Sequence, residues 1–292
     1  MEKIYLDYNA STPVHPEVTD SIKPFLDICF GNPSGSHWSG TEARKAVEEA
    51  RYKVSSLLGS QPDEILFTSG GTESNNLAIK GYALAHKKKG NHIITSQIEH
   101  PAVTEVCRYL ELHGFTVDYL PVDEYGMVNV RQLEDMIMPR TILITIMHAN
   151  NEVGTIQPIE EISVAARKSG IAFHTDAAQT IGKIPVNVRD LGVDLLSVAG
   201  HKFYAPKGIG ALYIRKGTEL EKLIHGANHE MNLRAGTESV PLIVGLGKAC
   251  EIAGRDLSGN TDHMRSTRSR LEDRLRERLP AIRINGHPEQ RL

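Results

Sequence analysis

Ile171-Ala-Phe-His-Thr-Asp-Ala-Ala-Gln179 and Val193-Asp-Leu-Leu-Ser-Val-Ala-Gly-His-Lys202 decide how this chain folds. Each is an apolar run of strand length that ends in chemistry-bearing residues: Asp176 and Gln179 in the first, His201 and Lys202 in the second. Runs that are apolar throughout, rather than alternating, suit strands covered on both faces. The pattern recurs at Ile65–Thr68, His92–Thr95, Val117–Leu120, Ile142–Ile146 and Gly210–Ile214. Helical patterns separate these runs, at Thr41–Leu58, Glu73–His86, Pro101–His113, Val130–Met136, Pro158–Lys168, Pro241–Ala253 and His263–Leu279. Such alternation predicts an α/β architecture with a mostly parallel sheet. Ligands of such sheets bind beyond the carboxyl ends of the strands.

The chain has 292 residues and a formal charge of −3, enough length for one large domain and part of a second. Neither nucleic acid nor a membrane is expected as a partner. The one basic run, Lys87-Lys-Lys89, reads as the solvated end of a helix, and no apolar stretch reaches membrane-spanning length. The start, Met1-Glu-Lys-Ile-Tyr-Leu-Asp7, resembles neither a secretory signal nor a transit peptide. Three widely spaced cysteines, Cys29, Cys107 and Cys250, suggest neither a disulfide framework nor a metal site, and point to a reducing, cytoplasmic compartment. Cys29 and Cys250 fall in helical patterns and read as small buried hydrophobes. A polar stretch, Ser258-Gly-Asn-Thr261, marks a candidate domain boundary, and Ala281–Leu292 starts like a strand and turn.

Five segments just beyond strand ends carry possible chemistry. In Thr68-Ser-Gly-Gly-Thr-Glu-Ser-Asn-Asn76, Gly70 and Gly71 let the backbone approach a ligand, and the helix start with the Thr72 hydroxyl suits a phosphate; the plainer alternative is Thr72 as a helix cap. His100, before Pro101, is placed to lie on a flat ring and move protons, or simply to cap a helix. Asn151 offers an amide to a carboxylate or a cofactor oxygen, or serves a turn with Gly154. Asp176 suits a pyridinium and Gln179 a phenolic oxygen; alternatively Asp176 caps a short helix. Lys202 sits among Gly, Pro and aromatic residues, where burial lowers an amine's pKa and favours Schiff-base chemistry; the alternative is a snorkelling loop lysine. One site accounts for all five: a lysine and a carboxylate facing each other across pyridoxal 5′-phosphate (PLP).

The motifs Tyr5-Leu-Asp-Tyr-Asn-Ala-Ser-Thr-Pro13, Gly31-Asn-Pro-Ser34, Phe67–Asn76, Glu99-His100, Asn150-Asn-Glu-Val-Gly154, His174–Gln179, Gly200-His-Lys202 and Arg234-Ala-Gly-Thr-Glu238 resemble those of the cysteine desulfurase and selenocysteine lyase family of class V aminotransferase-like PLP enzymes. The resemblance implies a large PLP domain with a seven-stranded, mostly parallel sheet at 14–257. It also implies a small α/β domain, incomplete here, from 1–13 and 258–292. By it, Lys202 holds PLP as a Schiff base, Asp176 supports the ring nitrogen, His100 stacks on the ring and Gln179 meets the ring oxygen. Gly71, Thr72 and His201 hold the phosphate, Asn151 faces the substrate carboxylate, and Thr237 reaches the neighbour's phosphate in a homodimer. Lys202 and His100 would be the catalytic pair, with no metal. The substrate would be L-cysteine or L-selenocysteine, and the sulfur would pass to an acceptor or scaffold protein, as in iron–sulfur cluster assembly.

Three departures bear on this. Ala199 stands where the family often has Ser, as in the selenocysteine-lyase-like branch. Asn228-His-Glu-Met-Asn232 replaces a glycine-rich loop, and Met231 fits a left-handed turn poorly. Family members continue past Leu292 with a nucleophilic cysteine loop, a substrate-binding arginine and most of the small domain. The expectation is therefore a C-terminally truncated protein that binds PLP and desulfurates weakly or not at all. Alternatives are another PLP-dependent lyase or transaminase, or a non-catalytic remnant. Met264, Leu271, Leu275 and Leu279 would be left as exposed apolar surface.

Overall fold

The computed structural model describes residues 3–292; Met1 and Glu2, part of the expected small domain, lie outside the described residues. The helices, in chain order, are α1 (Pro16–Ile22), α2 (Pro24–Asp27), α3 (Trp38–Leu58), α4 (Gly71–Asn76), α5 (Tyr82–His86), α6 (Pro101–Glu111), α7 (Val130–Met136), α8 (Ile159–Lys168), α9 (Val188–Leu191) and α10 (Val240–Arg278). The strands are β1 (Ile65–Thr68), β2 (His92–Ser96), β3 (Thr116–Leu120), β4 (Thr141–Thr145), β5 (Ala172–Asp176), β6 (Leu195–Ala199) and β7 (Gly210–Ile214).

All seven strands form one sheet in the order β1-β7-β6-β5-β4-β2-β3. Strands β3, β2, β4, β5 and β6 are mutually parallel, and β7 runs against both β6 and β1. This is the expected mostly parallel α/β sheet, and each predicted strand matches an observed one to within one or two residues. Successive residues of one strand enter opposite layers. Ile94, Ile144 and Leu196 join the core with α3, α8 and α10, while Ile93 and Leu143 pack with α6. Leu195 joins a third cluster with Leu77 and Ala78. Both faces are covered, which is why these strands lack polar alternation. Helices α3 and α10 approach closely, and a Cβ at Gly247 would stand 2.7 Å from Ala50 Cα.

The expected helix over Glu73–His86 is present with one irregular turn, and several other details differ from expectation. Between α4 and α5 a π turn, Leu77–Gly81, keeps the helix continuous from Gly71 to His86. The Ser258–Thr261 stretch does not interrupt α10. Thr261 Oγ1 shares its one proton between Leu257 O, one turn back at 2.8 Å, and Lys183 O at 2.6 Å, an arrangement compatible with a helix interior rather than a helix end. The tail 281–292 forms no strand; it makes only an isolated bridge, Thr155 with Arg291. Cys29 is not a buried helical residue either. It lies at the bend after α2 and is partly exposed, while Cys107 and Cys250 are buried. As expected, Met264 and Leu271 on the second half of α10 and Leu279 just after it are exposed; Leu275, expected with them, is instead half-buried.

Met231 does adopt the unfavourable conformation. Glu230, Met231 and Asn232 have φ of 45°, 57° and 61°, one left-handed turn of three non-glycine residues. Such residues cost about 1–2 kcal/mol each, so something must hold the turn. Glu230, buried, accepts from Arg51 Nη2 at 2.7 Å, Arg51 Nη1 at 3.0 Å and Phe67 N at 2.7 Å. Arg51 Nη1 also donates to Ile65 O at 2.7 Å. The turn is thus pinned to β1 and α3 by a buried ion pair. Glu230→Ala, which leaves buried Arg51 with only the exposed Glu48 as counter-charge, is expected to destabilise the protein by about 3 kcal/mol in denaturant unfolding. Met231→Gly is expected to stabilise it by about 1 kcal/mol; no gain would show that the turn carries no strain.

Candidate active site

The parallel strands end on one side of the sheet, and the segments that leave them enclose a cavity of about 410 Å³, within the usual size for small-molecule sites. Its wall includes Gly71 and Thr72 after β1, His100 after β2, Asn151 after β4, Asp176 and Gln179 from β5, and His201 and Lys202 after β6. Eight of the nine residues expected from the sequence therefore meet in one place. Thr237 does not; it is exposed and stands outside the cavity.

Asp176 ends β5 and is buried. Its Oδ1 accepts from Ala178 N at 2.9 Å and its Oδ2 from Asn75 Nδ2 at 2.7 Å. Burial raises its pKa; those two hydrogen bonds and the nearby His100 and Lys202 charges pull the other way. Asn75, on the inner side of α4, was not anticipated. Its motif was read only for its glycines and threonine, yet an amide five residues into the helix faces the sheet end.

Lys202 lies in the short turn Gly200–Lys202. Its Nζ donates to Asn9 O at 2.6 Å and Ala10 O at 3.1 Å. Burial lowers its pKa, opposed by Asp176 and Asp7. The Gln179 Nε2 amide donates to the same Asn9 carbonyl at 3.1 Å. His100 caps α6, its Nδ1 accepting from Ala102 N at 3.1 Å. In the neutral ring that bond leaves the proton on Nε2. His100 is thus both the cap of the plainer reading and a cavity residue. Asn151 donates to Glu152 Oε1 at 2.8 Å.

At the other end of the cavity Gly70, with φ 147° and ψ −179°, caps α4 in a conformation open essentially to glycine alone. Thr72 is the second helical residue, not the cap, and its side chain is exposed. A Cβ on Gly71 would come within 3.1 Å of Ala199 Cβ. The first-turn N–H groups have no intrahelical acceptor, and His201 and Lys207 line the same end. Burial, then the charges of Lys202, Lys207 and His100, lowers the pKa of His201. Lys207 was also not anticipated, because nothing in the Pro206-Lys-Gly208 spacing singles it out.

The donors fit PLP. One end offers N–H groups, a hydroxyl, the His201 imidazole and the Lys207 cation to a phosphate. The other offers a buried carboxylate that lacks a cation of its own, as a protonated ring nitrogen requires, and an amine lies between. Residues 4–292 match the family model for aminotransferase class-V. The chain belongs to the aminotransferase class-V family. It is 53% identical over 290 residues to the cysteine desulfurase IscS of Dictyoglomus turgidum, covering 99% of this chain and 74% of that protein. A solved NifS-like protein superposes with a TM-score of 0.92 at 45% identity, covering 94% of this chain and 76% of that one. A second solved structure, SspA in complex with cysteine, gives a TM-score of 0.83 at 49% identity, covering 85% and 72%. Proteins of this family and of its cysteine desulfurase branch are PLP-dependent.

Glu99, beside His100, is a further group that sequence reading quoted without a role. It is buried, accepts from Ser96 Oγ at 2.6 Å and Met147 N at 2.9 Å, and its Oε2 has no partner among the described residues. Burial, with a smaller push from Asp176, raises its pKa to about 8 against the two hydrogen bonds. The folded protein therefore keeps this proton where the unfolded chain has lost it. The stabilising contribution is whole below the ordinary carboxylate range and is lost as pH rises through about 8. In thermal melts from about pH 5 to about pH 9, Glu99→Gln is expected to lose several degrees less Tm than the wild type. Parallel profiles would show that Glu99 is ionised throughout.

Proposed function

We propose that this chain is a PLP-dependent cysteine desulfurase-type protein, which converts L-cysteine to L-alanine and passes the sulfur to a thiol. The observation that carries the reading is the pairing of Asp176 and Lys202 across one cavity whose far end suits a phosphate. Bound PLP supplies an electron-accepting ring at the substrate's Cα. The chain's own residues supply the rest. Lys202 Nζ anchors the cofactor and is the base that takes and returns the Cα proton, a role its lowered pKa favours. With PLP bound, Asp176 would hold a proton on the ring nitrogen, His100 would stack on the ring, and Gln179 would donate to the ring oxygen. Gly71, Thr72 and His201 hold the phosphate, and Asn151 orients the substrate carboxylate.

The balanced reaction is L-cysteine plus a thiol giving L-alanine plus a persulfide: the substrate C–S bond breaks, an S–S bond forms, and the thiol proton remains in the products. Among the described residues no cysteine lines the cavity. Cys107 is buried and burial pushes its thiol up to about 12. The accepting thiol is proposed to be that of a nucleophilic cysteine loop of the kind family members carry, or a thiol added to the site, with a sulfur acceptor or scaffold protein, as in iron–sulfur cluster assembly, as the onward destination of the sulfur. L-Selenocysteine suits the same donors, with Ala199 as in the selenocysteine-lyase-like branch. The exposed position of Thr237, outside its own cavity, suits a homodimer in which it serves the neighbour. The absence of cysteine pairing suits a cytoplasmic setting, and no helix among the described residues is long and apolar enough to cross a membrane. Residues 1–13 and 258–292 are proposed as part of a small domain beside the PLP domain at 14–257.

With PLP and L-cysteine, the purified chain is expected to form alanine only when a thiol such as dithiothreitol is added. Lys202→Ala is expected to lose both the visible PLP band and at least about a thousandfold of any alanine formation. Pyruvate and ammonia in place of alanine would favour the α,β-lyase alternative, and an unchanged Lys202→Ala variant would refute the reading.

A further inference from the structure

Lys183 stands behind the cavity wall, four residues after Gln179. Its Nζ donates to Gln179 Oε1 at 2.8 Å. A carboxamide has one acceptor end and one donor end. An ammonium bound to the oxygen therefore fixes which way the group points, because the reversed amide would set NH2 against the ammonium. The Gln179 NH2 is thereby turned toward Asn9 O, the carbonyl that also accepts from Lys202. The lysine is itself held. Thr261 of α10 donates to Lys183 O at 2.6 Å. Gly182, at φ 74°, is pressed between Phe203 and Ala253, whose Cβ atoms would lie 3.2 and 3.3 Å from a side chain there. The 179–183 turn is thus clamped between the Lys202 loop and α10. Burial, then the charge of Lys202, lowers the Lys183 pKa to about 8. An amine placed at such a cost, with one side-chain acceptor, serves that acceptor.

We infer that Lys183 is a positioning residue, which orients the Gln179 amide so that its NH2 faces the cofactor cavity, and that Thr261 ties this lock to α10. The inference rests on the proposed role of Gln179 as donor to the PLP ring oxygen. Lys183 touches neither cofactor nor substrate; it acts through Gln179.

The test titrates the full chain with PLP by absorbance and records the pH midpoint of the visible band for Lys183→Met, Gln179→Ala, the double variant and Lys183→Arg. Methionine replaces a buried amine with an apolar chain of similar length, so the fold is expected to persist, and a thermal melt checks this. Lys183→Met is expected to weaken PLP binding about tenfold and to move the band's midpoint in the same direction as Gln179→Ala. The double variant is expected to be no weaker than Gln179→Ala alone, and Lys183→Arg, which keeps the donor, to recover most of the loss. If Lys183→Met binds PLP with unchanged affinity and midpoint while Gln179→Ala does not, the positioning role is overturned and the site reading stands. If Gln179→Ala itself changes nothing, the role of Gln179 fails and the inference fails with it. Should Lys183→Met not fold, the Arg variant decides: wild-type affinity and midpoint support the lock, and a loss as large as that of Gln179→Ala contradicts it.

Discussion

A carboxylate without a cation of its own, buried at the end of the central strand, is the constraint on which this molecule turns. Asp176 is removed from water by the sheet below it and the α4 helix beside it, and only two neutral N–H donors meet its oxygens. Burying a charge so incompletely paired is costly. The site tolerates it because the facing cavity accepts a cation, and because Lys202 and His100 lie within electrostatic reach. In the proposed site, a protonated ring nitrogen held by Asp176 would convert that local cost into cofactor affinity.

The sheet holds Asp176 in place through a polar ladder inside the apolar core. Two residues earlier on β5, His174 accepts or donates to Thr145 Oγ1 on β4 at 2.8 Å and Ser197 Oγ on β6 at 3.0 Å. Burial lowers the His174 pKa to about 3, so the ring is neutral and both nitrogens are satisfied. Three adjacent strands are thereby locked in register just below the cavity. The left-handed turn at Glu230–Asn232 and its pin to Arg51 do a similar job at β1, behind the Gly70–Thr72 end.

The strands and the cavity were legible in the sequence because their signals are local: an apolar run, then a Gly, His, Asp or Lys at its end. Asp176, Lys202, His100 and Gln179 needed nothing more to be found. The continuity of α10 was not legible, since Ser258–Thr261 has the composition of a linker and only contact with Lys183 shows otherwise. The tail starts like a strand in its apolar alternation, Ile282-Arg-Ile284, but that stretch pairs with no strand among the described residues. Asn75, Glu99 and Lys183 escaped because each acts through a neighbour distant in sequence or hidden behind the wall. Met231 was recognised as a poor left-handed residue, but the Glu230–Arg51 pair that holds it there spans 179 positions.

The central claim is that Lys202, opposite Asp176, is the residue that anchors PLP. The most direct measurement is borohydride reduction of the PLP-loaded chain followed by peptide mass spectrometry. A single phosphopyridoxyl group on the peptide carrying Lys202 is the predicted result. Label on Lys207, Lys183 or surface lysines, with Lys202 unmodified, would contradict the account.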